Sequence, residues 1–449
     1  MNTLNLRTVI DTGSDVNYPV WHPFSNTTRN YFSMLNITKG EGIYLYDINN
    51  RKYLDASSGL WNISLGYGNK KIEDYILKQL NRLPYCSLFD YTNPTVVLAA
   101  SKILSILPPN MKKIFFTCSG SESIELSIKI MRKFWALNGH PEKKLIVSLN
   151  GSYHGTYYGS ISISGIEQEF VNDISPLPGE AIFINGGICR KCKCSNEYPS
   201  CDSNCVYNLE EIIKKNIDKI AGIVIEPILA SKGVEVLSEK FITGVYNICQ
   251  KYQLLLAIDE VAVGFFRTGE SFYIKKYGIE PDIICMGKGI NSGYLPMGAV
   301  SVNSRIVEAY SSTDGVITHG STQGGNLLSC AACIASIEQY EVMNIGANVK
   351  AMGDHLKKQL SDRLLYHPNV GEIRGEGLLL EVELFINKNS GEHLTTEQIC
   401  TIQEILKNNG LIVYRSDVGL TILPMLIADK DNINNLVDIL DYTFKHISF

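Results

Sequence analysis

Between residues 112 and 289, short apolar runs alternate with longer segments whose apolar positions recur at helical spacing. In residues 123–137, for example, Ile124, Ile128 and Met131 fall on one face of a helix. Alternation of this kind is typical of a largely parallel sheet with helices on its faces. The predicted strands are residues 113–118, 145–149, 220–225, 254–258 and 282–286.

The pattern changes near residue 330, where a long helical segment is followed by shorter apolar runs and further helices. We therefore predict an α/β protein with a large domain at 71–330 and a small α+β domain at 331–449. Residues 1–70, with a hairpin predicted at 42–52, are expected to pack with the small domain. A cysteine-rich insertion at 186–208 interrupts the large domain.

Composition narrows the class of protein further. Of the 449 residues, 45% are hydrophobic and 19% are charged, an ordinary globular balance that supports more than one core. The net charge of -5 argues against a nucleic-acid partner, since nucleic-acid-binding proteins usually present a basic face. Neither a secretory signal nor an apolar run long enough to span a bilayer is visible, which predicts a cytoplasmic protein without a membrane partner.

A phosphate-binding turn is predicted where the first strand ends. Ser119 and Glu122 have the spacing of a capping box, which leaves Gly120 and Ser121 to offer backbone N–H groups at a helix N-terminus. Such a terminus binds phosphate through hydrogen-bond donors and through the helix dipole. By itself this pattern is more commonly that of a capped helix without a ligand.

A carboxylate and an amine follow two further strands. Asp259 ends the strand at 254–258, and Lys288 follows the strand at 282–286. Singly, Asp259 could cap a turn and Lys288 could be a solvated loop lysine. Together with the phosphate turn they match the needs of pyridoxal phosphate, because Lys288 can form a Schiff base while Asp259 keeps the pyridine nitrogen protonated.

Several short motifs occur in a fixed order along the chain. The ordered set resembles the class III aminotransferases, which are fold-type I pyridoxal-phosphate enzymes, and especially their omega-amino acid:pyruvate branch. The likeness runs from Trp21 to about Pro424, nearly the whole chain. The motifs are Ser119-Gly-Ser-Glu122, Tyr153-His-Gly155, Glu226-Pro227, Asp259-Glu-Val261, Arg267-Thr-Gly269 and Gly287-Lys-Gly289.

The resemblance implies pyridoxal 5'-phosphate as the cofactor and assigns residues to it. Gly120 and Ser121 would hold the phosphate, beside the catalytic pair Lys288 and Asp259. Tyr153 would stack on one face of the ring and Val261 would press on the other. Glu226 would support the Asp259 side of the site.

The resemblance also implies a homodimer and a substrate pocket. Thr322 is similar to the family threonine that reaches the cofactor phosphate of the neighbouring subunit, so each active site would be completed by a second chain. Leu60, Trp61 and Phe89 resemble the walls of the family's pocket, together with Tyr153. Arg415 aligns with the arginine that receives a substrate carboxylate, for which a planar guanidinium is well suited.

Three positions depart from the usual family pattern, and all concern the substrate more than the chemistry. Ser416 stands where proline usually follows the arginine, Phe266 stands where glycine is common, and 323–326 replaces aromatic and small residues. The predicted reaction is ping-pong transfer of an amino group between an amine and a 2-oxo acid such as pyruvate or 2-oxoglutarate. The alternatives are an aminomutase, racemase or decarboxylase on the same scaffold, or a non-catalytic metal-binding protein.

The cysteine-rich insertion supplies the candidate metal ligands Cys189, Cys192, Cys194, Cys201 and Cys205. Four thiolates could bind a structural zinc, although the short and irregular spacings differ from those of paired zinc knuckles. Similar segments recur in one branch of the class III family. The prediction is therefore a folded surface loop without metal, with zinc and then redox disulfides as the alternatives.

Overall fold

A computed structural model describes residues 20–26, 34–166, 168–177, 181–188, 204–388 and 391–447. No helix in these parts of the chain is both long enough and apolar enough to cross a membrane. In chain order the α-helices are α1 (Lys70–Arg82), α2 (Pro94–Ile106), α3 (Gly120–Leu137), α4 (Tyr158–Ser162), α5 (Gln168–Ile174), α6 (Asn204–Asn216), α7 (Glu239–Tyr252), α8 (Ser304–Ser311), α9 (Leu327–Val342), α10 (Ile345–Leu364), α11 (Thr396–Asn408) and α12 (Lys430–Lys445).

The strands fall into one large sheet and several smaller ones. In chain order they are β1 (Ile37–Glu41), β2 (Tyr44–Asp47), β3 (Lys52–Asp55), β4 (Met111–Thr117), β5 (Leu145–Leu149), β6 (Ala181–Ile184), β7 (Ile220–Ile225), β8 (Ile228–Leu229), β9 (Glu235–Val236), β10 (Leu255–Asp259), β11 (Ile283–Met286), β12 (Gly298–Asn303), β13 (Val370–Glu376), β14 (Leu379–Asn387), β15 (Glu392–His393), β16 (Leu411–Ile412), β17 (Tyr414–Arg415) and β18 (Gly419–Ile422).

The large sheet formed by the described residues has the order β4-β12-β11-β10-β7-β5-β6. The pairs from β11 through β6 are parallel, whereas β12 runs antiparallel to both of its neighbours. The central strand β7 is buried along its whole length, which explains its uninterrupted apolar sequence. Helices such as α3 and α7 cover the sheet and share its core, so the predicted fold-type I α/β class is confirmed.

Two smaller sheets lie outside this core. One has the order β1-β2-β3-β16 and the other has the order β13-β14-β18-β17. The parallel pairing of β3 with β16 joins the N-terminal hairpin region to a strand near the C-terminus. The domain limits at 70 and 330 stay a prediction.

Most sequence-predicted elements of the large sheet are present with shifts of one or two residues. β5 and β7 have the predicted bounds. The sequence argument missed β6 and β12. β12 follows directly on the lysine loop and completes the sheet between β4 and β11, where an antiparallel strand breaks the strand–helix alternation on which the prediction relied.

Candidate active site

Three ionisable side chains follow three neighbouring strands of the large sheet. Glu226 comes directly after β7, Asp259 is the last residue of β10, and Lys288 lies two residues beyond β11. β7, β10 and β11 are adjacent and parallel, so their carboxyl ends meet at one edge of the sheet. Open α/β sheets bind their ligands at this edge.

A cavity of about 160 Å³ opens at this edge. It brings together the phosphate turn, the three ionisable residues and both side chains predicted to face the cofactor ring. Its lining residues are Trp61, Ser119, Gly120, Ser121, Tyr153, His154, Gly155, Glu226, Ser231, Asp259, Val261, Ala262 and Lys288.

Asp259 is fixed from both sides. Its Oδ2 atom accepts a hydrogen bond from Nδ1 of the buried His154 at 2.8 Å, and its Oδ1 atom accepts one from the Val261 backbone N–H at 3.0 Å. The other ring nitrogen of His154 lies 3.3 Å from the Ser148 hydroxyl, which can donate to it. The carboxylate is therefore oriented by a chain of buried polar groups before any ligand is bound.

Lys288 has a depressed basicity and an available amine. Burial lowers the pKa of Lys288, and the nearby charges of Asp259 and Glu226 oppose that change only in part. The Nζ atom lies 5.1 Å from the centroid of the Trp61 ring. Among the described residues it has no hydrogen-bond partner, so the amine is free to react.

Glu226 provides the third ionisable group. Its Oε1 atom accepts a hydrogen bond from the Tyr153 backbone N–H at 2.7 Å, which ties the strand end of β7 to the segment that follows β5. Burial raises the pKa of Glu226 well above its usual range, and the charge of Asp259 raises it further. Two carboxyl groups this close cannot both ionise cheaply in a buried site.

The phosphate turn differs in one detail from the predicted capping box. The Ser119 hydroxyl accepts a hydrogen bond from the Glu122 backbone N–H at 3.2 Å and so caps α3, as expected. The Glu122 carboxylate, however, accepts from the Cys118 backbone N–H at 2.8 Å and not from that of Ser119. The predicted reciprocal bond was wrong by one residue, because Glu122 also faces His319.

Glycine is required at one position of this turn and at one position of the segment that faces it. A Cβ atom at Gly120 would lie 2.6 Å from Cγ1 of Val261, and one at Gly155 would lie 2.2 Å from Oγ of Ser121. Gly155 also has a φ of 106°, a conformation that residues with side chains rarely adopt. The segments after β4, β5 and β10 can therefore approach one another closely enough to form a narrow site.

Trp61 reaches the cavity from an unusual turn. Ser58, Gly59, Leu60 and Trp61 all have positive φ angles, between 48° and 71°. The buried carboxylate of Asp55 holds this left-handed turn, since it accepts hydrogen bonds from the Ser57 N–H, the Ser57 hydroxyl, the Gly59 N–H and the Tyr67 hydroxyl at 2.7–2.9 Å. Strained backbone of this kind persists only where surrounding contacts fix it.

Comparison with known proteins decides the family. The sequence model described as Aminotransferase class-III matches residues 25–444. The chain is 34% identical over 430 residues to the adenosylmethionine-8-amino-7-oxononanoate aminotransferase of Staphylococcus aureus, covering 94% of each chain. It is 33% identical over 414 residues to the putrescine–pyruvate aminotransferase of Pseudomonas aeruginosa, covering 89% of this chain and 88% of the relative. The chain belongs to the class III aminotransferases.

Solved structures agree with this assignment. An aminotransferase from Bacillus anthracis superposes with a TM-score of 0.92 at 30% identity over the full length of both chains. An amine transaminase from an uncultivated Pseudomonas species, in its pyridoxal-phosphate-bound form, gives a TM-score of 0.91 at 28% identity and covers 97% of this chain and 100% of the other. The protein is thus a pyridoxal-phosphate-dependent aminotransferase.

The residues of the cavity fit that cofactor. A helix N-terminus with glycine at the point of closest approach suits a phosphate group. The buried Asp259 carboxylate suits a protonated ring nitrogen, and the unpartnered amine of Lys288 suits a carbonyl carbon. The chemistry of the donor set therefore agrees with the cofactor of the family.

Four predicted residues of this aminotransferase lie outside the cavity of the single chain. The side chain of Leu60 is 63% exposed. Phe89 lies at a separate groove, where it packs near Gly320. Thr322 is exposed and directly follows Ser321, which lines the same groove. Arg415 is half-buried on β17, and its guanidinium group forms neither a hydrogen bond nor an ion pair with the side chain or backbone of another described residue.

The structure explains one departure from the family pattern and leaves the cysteines open. The Ser416 hydroxyl donates to the buried carboxylate of Glu381, a bond that the more usual proline could not form. Of the cysteine candidates, Cys205 lies in α6, whereas Cys189, Cys192, Cys194 and Cys201 lie outside the described residues. The prediction of a metal-free loop therefore stays a prediction.

Sequence reasoning missed two residues that position the site. His154 was noticed only as part of a motif, although it contacts Asp259 directly. Asp55 was not noticed at all, and the sequence offered little signal beyond a carboxylate two residues before a serine pair and a glycine. Both act through contacts that depend on the folded chain.

Proposed function

We propose that this aminotransferase moves an amino group between an amine or omega-amino acid and a 2-oxo acid by a ping-pong mechanism. One observation carries the proposal: the free amine of Lys288 lies with the oriented carboxylate of Asp259 in one cavity, at the ends of adjacent strands. An amine that is easily deprotonated and a fixed carboxylate are the two groups that this chemistry needs from the protein.

In this proposal, the cofactor is held mainly by residues at the sheet edge. Gly120 and Ser121 bind its phosphate, and Asp259 keeps its ring nitrogen protonated. Tyr153 and Val261 contact the two faces of its ring. When bound, the cofactor withdraws electrons from the reacting carbon of the substrate.

Glu226 supports this arrangement from its position directly after β7. It binds the backbone of Tyr153, and its raised pKa favours the protonated form beside the charged Asp259. A neutral Glu226 leaves Asp259 as the principal negative charge that faces the ring nitrogen. The two neighbouring carboxyl groups therefore have different roles in this proposal.

Lys288 has two roles in the proposed reaction. It would hold the cofactor covalently, and its Nζ would act as the base that takes the proton from the carbon bearing the amine and as the acid that returns it. The lowered pKa of Lys288 favours the unprotonated amine more than in a solvated lysine, which suits this role.

Trp61 and Tyr153 form the substrate-facing wall in this proposal. The Tyr414 ring packs edge-on against Trp61 at 5.2 Å, which brings β17, the strand that carries Arg415, next to that wall. An unpaired guanidinium at this position would receive the carboxylate of a 2-oxo acid. Leu60 and Phe89 would extend the pocket at its exposed rim.

We also propose a homodimer. Exposed apolar side chains border a groove of about 1240 Å³, including Phe89, Tyr91 and Val316, which are 68%, 68% and 70% exposed. Apolar patches of this kind usually mark an interface in a soluble chain. Thr322 is exposed, lies outside its own cavity and directly follows Ser321 of this groove, so in the proposed dimer it would reach the cofactor phosphate of the neighbouring subunit.

The names of several relatives favour a second candidate reaction, the transfer of an amino group between adenosylmethionine and 8-amino-7-oxononanoate. Several are named as adenosylmethionine-8-amino-7-oxononanoate aminotransferases, including those of Staphylococcus aureus and Aquifex aeolicus. Others are named for putrescine or taurine with pyruvate. An oxo acid is the acceptor in each name, which agrees with a carboxylate-binding role for Arg415 but leaves the donor to experiment.

The function is tested by incubating the enzyme with single donors and then with acceptors. The donors are adenosylmethionine, putrescine, taurine and simple omega-amino acids, and the acceptors are pyruvate, 2-oxoglutarate and 8-amino-7-oxononanoate. A ping-pong aminotransferase releases one carbonyl product per active site from a donor alone, and it aminates an acceptor added afterwards. Release of carbon dioxide, or isomerisation of the donor without a carbonyl product, would instead indicate one of the alternative reactions.

Two variants sharpen this experiment. Lys288→Ala should lose turnover by roughly 10²–10⁴-fold or more, since both acid–base catalysis and covalent anchoring are removed. Arg415→Ala should lose carboxylate-bearing acceptors while its half-reaction with putrescine remains nearly unchanged. Near-normal turnover in Lys288→Ala would overturn the proposed function, whereas equal losses for both substrates in Arg415→Ala would make that residue structural.

A further inference from the structure

A buried charged contact connects the phosphate turn with the loop that carries Thr322. The Oε1 atom of Glu122 lies 3.2 Å from Nε2 of His319, and the two side chains are only 10% and 9% exposed. The other oxygen of Glu122 accepts the Cys118 backbone N–H at 2.8 Å, directly before the turn. One carboxylate therefore binds both segments.

The surroundings of His319 define how its ring is used. Nδ1 lies 3.1 Å from Nζ of Lys129, whose ammonium group can only donate. Nδ1 must then accept, so Nε2 carries the ring hydrogen and donates a hydrogen bond to Oε1 of Glu122. With this tautomer, Lys129 donates a hydrogen bond to His319 and His319 donates one to Glu122, so both ring nitrogens have a hydrogen-bond partner.

The other contacts of this loop are weaker in kind. The Cys118 thiol lies 3.3 Å from the Ser321 hydroxyl, and the Tyr85 hydroxyl donates to the Thr322 carbonyl at 2.9 Å. Both contacts are between neutral groups, and hydrogen bonds that include a charged group are about twice as strong. The contacts of His319 with Glu122 and with Lys129, which both include a charged group, are thus the principal polar contacts between the loop and α3.

We infer that Glu122 and His319 are positioning residues that couple the two active sites of the dimer. The inference rests on the proposed homodimer and on the proposed role of Thr322. Glu122 lies at the turn that binds the chain's own cofactor phosphate, and His319 is three residues before the threonine that serves the neighbour. Loss of the pair therefore weakens phosphate binding in both sites at once.

Hybrid dimers test the coupling without measuring turnover. Wild-type chains are co-expressed with His319→Leu chains that carry a different tag, and mixed dimers are isolated. After dialysis, borohydride fixes the remaining cofactor to its lysine, and mass spectrometry measures the labelled fraction of each chain. A lost charge-assisted hydrogen bond is commonly equivalent to roughly 10- to 100-fold in binding, so both chains should release cofactor about tenfold faster or more than chains of wild-type dimers.

Loss of cofactor from one chain only, or from neither, would overturn the coupling. His319→Gln is the matched control, because its amide can donate to Glu122 from nearly the position of Nε2, and it should restore retention in both chains. Where His319→Leu does not assemble, Glu122→Leu replaces it, because leucine cannot accept from His319, and it should give the same loss in both chains of a hybrid.

A Thr322→Ala hybrid separates this inference from the proposed function. Its wild-type chain, which receives the altered threonine, should lose cofactor, while the variant chain should retain it. Loss from the variant chain itself, or from neither chain, would overturn the neighbour-site role of Thr322 and with it the coupling. If the wild-type chain of the Thr322→Ala hybrid loses cofactor but only one chain of the His319→Leu hybrid does, the coupling is overturned while the neighbour-site role of Thr322 stands.

Discussion

Single buried charges determine much of the chemistry available to this enzyme. Burial penalises the charged form of any ionisable group, so such a group either finds a partner or changes its pKa. Asp259 finds its partner in His154, whereas Glu226 responds with a raised pKa. The pKa of Lys288 is lowered, and its amine lacks a hydrogen-bond partner among the described residues, which leaves it reactive.

Glu381 offers a test of the same principle away from the reacting atoms. Burial raises the pKa of Glu381 from 4.5 to about 7, although the Ser416 and Thr421 hydroxyls donate to its carboxylate. The folded protein therefore binds this proton more tightly than the unfolded chain does. The resulting stabilisation is complete below about pH 4.5 and is lost as the pH rises towards 7, an effect of roughly 3 kcal/mol at most.

Glu381→Gln should remove this pH dependence, because glutamine stays neutral throughout. Thermal unfolding is measured at intervals from pH 5 to pH 8, where the variant is expected to gain stability relative to wild type as the pH rises. The charge of Arg374 acts on both Glu381 and Glu372, but the Glu372 side chain is 43% exposed. Glu372→Gln is therefore the control. An unchanged difference in melting temperature across the pH range would show that Glu381 ionises normally.

The left-handed turn at Ser58–Trp61 is the element most specific to the substrate side of the site. Four consecutive positive φ angles are costly for residues other than glycine, and each such position costs on the order of 1 kcal/mol. The Asp55 carboxylate offsets this cost through four hydrogen bonds. Its position at the end of β3, which pairs with β16, fixes the turn relative to the small sheets.

Asp55→Asn should loosen this turn, because an amide cannot accept all four hydrogen bonds. Losing two bonds to a charged acceptor should cost about 2–4 kcal/mol of unfolding free energy and should raise KM by displacing Trp61. Denaturant unfolding and steady-state kinetics measure the two effects. Asp47→Asn is a matched control, since Asp47 accepts similar bonds from Asn49, Arg51 and Tyr53 in a neighbouring turn that does not line the cavity. An equal rise of KM in both variants would reduce Asp55 to a general structural role.

The elements of the large sheet could be predicted because buried parallel strands have continuous apolar sequences. Asp259 and Lys288 were accessible for the same reason, since a polar residue directly after such a strand lies at the ligand-binding edge. The turn at Ser58–Trp61 could not be predicted, because its conformation depends on Asp55 and on contacts with distant strands. The His154–Asp259 contact joins residues 105 positions apart, and only the folded sheet brings them together.

At the scale of the whole molecule, the single chain is an incomplete description of the proposed site. Its cavity contains the residues that would hold the ring and the phosphate, but Thr322 and Phe89 lie outside that cavity, with Phe89 at the exposed groove. No pattern within one sequence states whether such residues serve their own chain or a neighbour. The resemblance supplied that assignment, and a mixture of two inactive variants can test it.

Thr322→Ala and Lys288→Ala chains should complement each other in a mixed dimer. If Thr322 serves the neighbour, the site of the Thr322→Ala chain combines its own intact Lys288 with the intact Thr322 of the Lys288→Ala chain. That site is fully wild type, whereas the second site carries both changes. If Thr322 served its own chain, each site would carry one change and neither would be wild type.

Co-expression with two tags, purification of mixed dimers and measurement of cofactor retained after dialysis distinguish the two arrangements. We expect one tightly held cofactor per mixed dimer and about half of wild-type turnover, while mixed dimers without a tightly binding site would exclude the shared-site arrangement.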